Sequence, residues 1–175
     1  MGNSKYDFLS QRIKDIDSRP GLVVIDCGCG DGSGSSSLLQ NLEDPILLAF
    51  DSDIHMVNKA SEKGINANYG DIKNLSNVDD DTVDVYVCSD TFECMSRIDS
   101  LQASKDIKRV VKNEGLIVVS SISDKKVCLL NKKNKQYLSI FDIDNHFVLM
   151  NKEYEGQYYN IHEKCNNILI YRNKK

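Results

Sequence analysis

Apolar residues in the first two-thirds of the chain follow two different spacings. Runs such as "GLVVID", "ILLAF", "TVDVYVCS" and "GLIVVSS" are nearly continuous, whereas residues 5–18 and 100–111 carry apolar positions three or four residues apart. Continuous runs are typical of buried strands, and the wider spacing is typical of amphipathic helices. Strands that alternate with helices predict crossover units and a parallel sheet covered on both faces, which is an α/β fold.

Turn and capping residues divide this pattern into elements. "SRPG" ends the first helix, and "SGSSSLLQNL" predicts a second helix that is capped by serine. Ser52 is predicted to cap a third helix, which ends at Gly64. "INANYG" predicts a short strand that ends before Asp71.

The pattern weakens beyond residue 121. "NNILIYRN" predicts a late strand and "NHFVLM" another, while the lysine- and asparagine-rich stretch before them predicts a loop or a short helix. We therefore expect a single domain over residues 1–175. Its parts are an N-terminal helix (1–18), a core (20–121) and a variable C-terminal part (122–175).

Composition and charge narrow the class of protein. Hydrophobic residues make up 41% and charged residues 27%, as in ordinary globular proteins. Residues 1–10 lack the apolar core of a signal peptide, and no apolar run reaches the about 20 residues that cross a bilayer, so we expect a cytoplasmic protein without membrane contact. The net charge of −4 argues against nucleic-acid binding, and "KKNKQ" at 132–136 is interpreted as a solvated loop.

The six cysteines are interpreted as free thiols. Cys27, Cys29 and Cys88 lie in or beside strand-like runs, where cysteine packs as a small hydrophobe. Their spacing lacks the Cys-x-x-Cys pairs of structural zinc sites, so no metal site is predicted.

A glycine-rich loop, "IDCGCGDGSG" at 25–34, follows the first predicted strand. It is not a P-loop, because no lysine occurs between residues 15 and 58. It is not the dinucleotide fingerprint G-x-G-x-x-G either, because Ser33 or Ser35 stands where the last glycine is required. The two common phosphate-binding loops are therefore excluded.

Acidic residues around this loop favour a cationic ligand. Asp26 and Asp31 bracket the glycines and would repel a diphosphate, whereas an ammonium or sulfonium group would be attracted. Asp51 ends the second predicted strand, where an acidic side chain can accept both hydroxyls of a ribose. The site thus favours a ligand that has a ribose and a positive charge but no phosphate, and S-adenosylmethionine meets these conditions.

"VVIDCGCGDGSG" resembles motif I, D/E-x-G-x-G-x-G, of the class I S-adenosylmethionine-dependent methyltransferases, in particular the small type 11-like domains. "LLAFDSDIHMVNKA", "ANYGDIKNL", "DVYVCSDTFECM" and "LQASKDIKRVVKNEGLIVVSS" resemble the family's later segments in the same order, over about residues 20–121. The resemblance implies a Rossmann-like three-layer αβα domain. Its sheet would be mostly parallel and seven-stranded with an antiparallel last strand, and the product of the cofactor would be S-adenosylhomocysteine.

The resemblance also implies roles for individual residues. Asp26 and the Gly28 backbone would hold the methionine ammonium, and Asp51 would bind the ribose, with Asp53 as the alternative. Asp71 would accept a hydrogen bond from the adenine amino group. Gly30 and Gly32 would permit a close approach of the cofactor, and the backbone N–H of Ile72 would contact the adenine ring. Ser89 would face the methionine part. Cys29 and Ser52 are the remaining residues that the resemblance implies for cofactor binding.

The acceptor side is less defined. Small-molecule enzymes of the family often carry Leu-Glu-His after the fourth strand, where this chain has Phe92-Glu93-Cys94. Asp90 and Glu93 are the remaining acid–base candidates, with exposed loop carboxylates or helix caps as the alternative interpretation. His146 and His162 are interpreted as surface residues, with a position in the acceptor pocket as the alternative. A small-molecule acceptor is favoured, and the alternatives are a protein or RNA acceptor or a catalytically silent cofactor-binding subunit.

Overall fold

The computed structural model describes residues 4–92, 95–122, 156–161 and 166–173. The described helices are α1 (Ser4–Ile16), α2 (Ser33–Asn41), α3 (Ile54–Glu62) and α4 (Arg97–Val110). The described strands are β1 (Val23–Cys27), β2 (Ile46–Asp51), β3 (Ala67–Tyr69), β4 (Val83–Ser89), β5 (Val111–Ile122), β6 (Gly156–Ile161) and β7 (Asn166–Arg172).

The seven described strands form one sheet in the order β3-β2-β1-β4-β5-β7-β6. β1 to β5 pair in parallel, and β7 runs antiparallel to both β5 and β6. The predicted α/β fold with a mostly parallel sheet and an antiparallel last strand is confirmed. Because the strand order reverses between β1 and β4, the carboxyl ends of these strands flank the crevice in which doubly wound sheets bind ligands.

Alternate residues of the central strands pack on opposite faces of the sheet. Ile25, Tyr86 and Ile117 lie in one apolar cluster with residues of α4. Val24 and Val118 belong to a second cluster with residues of α1, α2 and α3. This period of two, buried on both faces, explains why the strands read as continuous apolar runs.

Helix α1 is fixed against the start of α2, next to the glycine loop. A Cβ on Gly34 would lie 2.3 Å from Cζ of Tyr6, so the tyrosine ring occupies the space that any side chain at this position would need. Tyr6 is buried, and Leu9 and Ile13 are fully buried on the same helix. The N-terminal helix therefore lies over the loop that follows β1.

The predicted serine caps of two helices are wrong. The N-cap of α2 is Gly32, with φ of 77° and no capping side chain. The N-cap of α3 is Asp53, not Ser52, and its carboxylate accepts the His55 N–H at 2.8 Å. A carboxylate is as good a cap as a hydroxyl, and the position of the turn decides between them.

Two predictions concern the C-terminal third. The strand predicted at "NNILIYRN" is confirmed as β7, whereas the strand predicted at "NHFVLM" lies outside the described residues. β6 was not predicted.

Candidate cofactor-binding site

A cavity of about 190 Å³ lies at the carboxyl ends of the central strands. The ends of β1 and β2 contribute Cys27, Gly28, Phe50, Asp51 and Ser52 to its walls. The segments after β3 and β4 contribute Gly70, Asp71, Ile72, Asp90 and Thr91. Of the predicted site residues, Gly28, Asp51, Ser52, Asp71, Ile72 and Asp90 are thus brought together.

The carboxylate of Asp51 is held at the end of β2 by two backbone donors. Its Oδ2 accepts the Gly30 N–H at 2.8 Å, and its Oδ1 accepts the Asp53 N–H at 2.9 Å. A carboxylate oxygen accepts more than one hydrogen bond, so each still has capacity for a ligand hydroxyl. The side chain is therefore oriented between the glycine loop and the start of α3.

The glycine loop passes close to the segment after β4. Gly28 has φ of +79°, and its N–H donates to the Phe50 carbonyl at 2.8 Å. A Cβ on Gly28 would lie 2.0 Å from Oγ1 of Thr91. The left-handed backbone and this close approach together require glycine.

Asp71 and Ile72 lie in the wall formed after β3. The Asp71 carboxylate accepts the Lys73 N–H at 2.9 Å and pairs with the Lys73 ammonium at 3.3 Å. This local turn fixes the carboxylate, while the side chain stays 47% exposed and open to a ligand.

Asp26 is fully buried and is not among the cavity-lining residues. The Ser35 hydroxyl donates to one carboxylate oxygen at 2.6 Å, and the Tyr6 hydroxyl donates to the other at 3.2 Å. Burial raises the pKa of Asp26 to about 6, although these hydrogen bonds and the Lys5 charge oppose the rise. The side chain therefore joins β1, α1 and α2, and its contact with a ligand ammonium stays a prediction.

The other predicted contacts also lie outside the cavity wall. Cys29, Gly30, Gly32 and Ser89 do not line it. The Ser89 hydroxyl shares a hydrogen bond of 2.8 Å with the Ser120 hydroxyl. Burial raises the pKa of Cys27 and of Cys29 to about 12, so these thiols are protonated at neutral pH.

The segment after β4 carries the acid–base candidates. Asp90 has φ of +56°, its N–H donates to the Ser120 carbonyl at 2.9 Å, and its carboxylate pairs with the Lys5 ammonium. Glu93 lies outside the described residues.

Sequence reasoning missed several residues at this site. Four such residues line the cavity, and each is a chain neighbour of a predicted residue, which was the available signal: Cys27, Phe50, Gly70 and Thr91. Lys5 and Tyr6 reach Asp90 and Asp26 from α1, and nothing in the sequence pattern indicated these pairings.

A family model described as "Methyltransferase domain" matches residues 25–119, more than half of the chain. The chain belongs to this family. The match covers most of β1, all of β2 to β4, the helices α2 to α4 and most of β5, so it includes every cavity-lining residue. The fold and the family model together identify a class I S-adenosylmethionine-dependent methyltransferase domain.

Other proteins are similar to this chain in sequence or in fold. A trans-aconitate 2-methyltransferase of Mycolicibacterium gilvum is 33% identical over 82 residues, which is 47% of this chain and 31% of that protein. A protein of Pyrococcus horikoshii OT3 shares the fold with a TM-score of 0.79 at 18% identity, over 98% of this chain and 90% of its own. An S-adenosylmethionine-dependent methyltransferase of Aquifex aeolicus gives 0.73 at 18% identity, over 99% of both chains.

Across the part of this methyltransferase-family chain that the structure describes, no helix has the length and apolar character of a membrane span.

Replacing Asp26 by asparagine should change how stability depends on pH. The pKa of Asp26 is about 6 in the folded protein against an ordinary value of 3.8, so the folded state binds the proton more tightly. The free energy of unfolding therefore falls as pH rises through this range. The asparagine side chain does not ionise, so the free energy of unfolding of Asp26→Asn should rise relative to wild type by up to about 3 kcal/mol between about pH 4 and pH 7. Urea unfolding at both ends of the range measures the difference.

Asp31→Asn is the matched control, because the shift there has the opposite sign. The Lys63 ammonium holds the pKa of Asp31 down at about 2. Its stabilisation is complete above the ordinary pKa and is lost as pH falls toward 2, so Asp31→Asn should lose relative stability as pH rises. Parallel pH profiles for Asp26→Asn and wild type would contradict the expectation for Asp26.

Proposed function

We propose that this chain binds S-adenosylmethionine in the cavity and transfers its methyl group to a small-molecule acceptor. The observation that carries the proposal is the oriented carboxylate of Asp51, which both Gly30 and Asp53 hold at the end of β2. This is the place at which a doubly wound sheet presents an acid to ribose hydroxyls.

The residues present fit that cofactor. Asp51, Asp71 and Asp90 give the cavity wall three carboxylates. Lysine ammonium groups pair with Asp71 and Asp90, so the negative charge that remains at Asp51 favours a cationic ligand over a polyphosphate. Asp51 would accept the ribose hydroxyls, Asp71 and Ile72 would face the adenine, and the Gly28 backbone would lie against the methionine end. Only a hydrogen atom fits on the Thr91 side of Gly28, so the loop lies directly against its neighbouring segment.

When bound, the cofactor supplies a methyl group that its sulfonium already activates. The chain's own contribution is then mainly orientation and exclusion of water. Tyr6 fixes α1 next to the glycine loop by its contact with Gly34 and its bond to Asp26. The Asp90 carboxylate is engaged by the Lys5 ammonium, which suits a positioning role better than proton abstraction.

We further propose a small organic acid as the acceptor. The support is the activity of two similar proteins, which are trans-aconitate 2-methyltransferases. The matched segments are 31% and 27% of those proteins, so their activity is carried over to this chain as a proposal.

Two measurements test the function. Isothermal titration should show binding of S-adenosylmethionine and S-adenosylhomocysteine, with ATP and NAD as polyphosphate comparators that do not bind. Transfer of a labelled methyl group should then be measured to trans-aconitate and other small carboxylic acids, with RNA and protein fractions in parallel. Absence of S-adenosylmethionine binding at millimolar concentration would reject the cofactor, and label found in a macromolecular fraction would reject the acceptor class.

A further inference from the structure

Lys5 places a positive charge at the β4 side of the cavity. It lies in the first turn of α1, and its side chain is 11% exposed. Its ammonium pairs with Asp90, which lines the cavity, and its charge also opposes the rise in the pKa of Asp26. A nearly buried lysine thus lies close to the loops that follow β1 and β4.

A neighbouring lysine serves a different part of the wall. Lys73 pairs with Asp71, but it follows β3, which is separated from β4 by two strands, and its side chain is 39% exposed. The charge of Lys5 therefore lies at the β4 side of the cavity. Lys63 pairs instead with Asp31 of the glycine loop, and Asp31 is not a cavity-lining residue.

The position of Lys5 is set by rigid packing. The next residue, Tyr6, is buried against Gly34 and bonded to Asp26, and Leu9 is fully buried one turn later. The first turn of α1 is thereby fixed over the glycine loop, which also fixes the base of the Lys5 side chain.

We propose that Lys5 is a carboxylate-binding residue of the ligand site, and that a ligand carboxylate replaces Asp90 as its partner. Burying an ammonium is costly unless it is paired, so Lys5 requires a carboxylate near this place in every state. Asp90 is 32% exposed and lines the cavity, so its charge can be solvated when a ligand takes its place. The assignment rests on the proposed function, which supplies two sources of carboxylate: the methionine end of the cofactor or an organic-acid acceptor.

Binding to the full chain tests the assignment without relying on activity. Lys5→Met keeps an unbranched side chain that is one heavy atom shorter, and it removes the charge. If the carboxylate is the cofactor's, titration should show S-adenosylhomocysteine binding weakened about ten- to a hundredfold, as expected for a lost charged hydrogen bond. 5′-Methylthioadenosine, which has the nucleoside and thioether without the amino-acid end, should bind with unchanged affinity. Lys14→Met on the same helix is the matched control, because Lys14 is exposed.

The second arm detects an acceptor carboxylate. If the acceptor is the source, Lys5→Met should leave S-adenosylhomocysteine affinity unchanged and weaken the binding of trans-aconitate to the protein saturated with S-adenosylhomocysteine. Asp90→Asn separates ligand binding from a simple brace. It removes the competing carboxylate, so it should raise the affinity for the same ligand whose affinity Lys5→Met lowers.

Three results would overturn the proposal. The first is wild-type affinity of Lys5→Met for both S-adenosylhomocysteine and trans-aconitate. The second is an equal loss of affinity for 5′-methylthioadenosine and S-adenosylhomocysteine in Lys5→Met and in Asp90→Asn, because equal losses would indicate that the Lys5–Asp90 pair only braces the structure. Failure of the wild type to bind either nucleoside would reject the proposed function itself, and the role of Lys5 with it.

Discussion

Replacing Gly28 by alanine should lower S-adenosylhomocysteine affinity by about a hundredfold or more, because two penalties coincide at this position. The new Cβ would lie 2.0 Å from Oγ1 of Thr91, and φ of +79° disfavours any L side chain. The glycine loop has to move away from the segment after β4. This movement also disturbs the hydrogen bond that the Gly30 N–H donates to the Asp51 carboxylate. Isothermal titration measures the affinity, and thermal unfolding measures the accompanying loss of stability.

Gly21→Ala is the matched control. Gly21 also has positive φ, +73°, but a Cβ there would meet nothing within 4 Å. It should lose about 1 kcal/mol of stability from backbone strain and keep its ligand affinity. Thr91→Ala added to Gly28→Ala should recover part of the affinity by removing the overlapping hydroxyl. Wild-type binding by Gly28→Ala alone would show that the loop does not hold the ligand.

Asp51→Ala should weaken cofactor binding by about 1–3 kcal/mol, which is about five- to 150-fold, because ligand hydroxyls would lose a charged acceptor. The substitution also leaves the N–H groups of Gly30 and Asp53 without the carboxylate that now accepts from them. Titration with S-adenosylhomocysteine measures the loss, and titration with adenosine shows whether it arises at the nucleoside.

Asp53→Ala controls for general damage at the same turn. Asp53 caps α3 through the His55 N–H, so its loss should cost about 1 kcal/mol of stability and leave affinity unchanged. If Asp53→Ala lost affinity and Asp51→Ala kept it, the ribose contact would be assigned to Asp53.

The parallel core of the fold was predictable because the signal was local. β1 and β4 are buried on both faces and β2 is buried over most of its length, so each appears in the sequence as an apolar run between turn residues. β6 was not predicted because "GQYYNI" has no clear apolar run, and its strand conformation comes from pairing with β7. Pairing with a neighbouring strand leaves no such trace in the pattern of apolar residues.

The candidate site was predictable to a similar extent. The chain turns at the end of each parallel strand, so Asp51, Asp71 and Asp90 could be expected at one edge of the sheet, and the cavity does bring them together. The surroundings of Asp26 were not predictable. Its partner Tyr6 lies on a helix whose spacing showed an apolar face but not what that face would contact.

The strand order has a consequence for the order of folding. β7 comes last among the described strands, yet it lies inside the sheet, between β5 and β6. During synthesis, β5 therefore keeps one edge of unpaired N–H and carbonyl groups until the chain through residue 172 is available. Such an edge is a template for pairing with other chains. A nascent or truncated chain that stops before β7 would retain the segments that form the cavity and still be prone to aggregate, so a chaperone would be most useful at this stage.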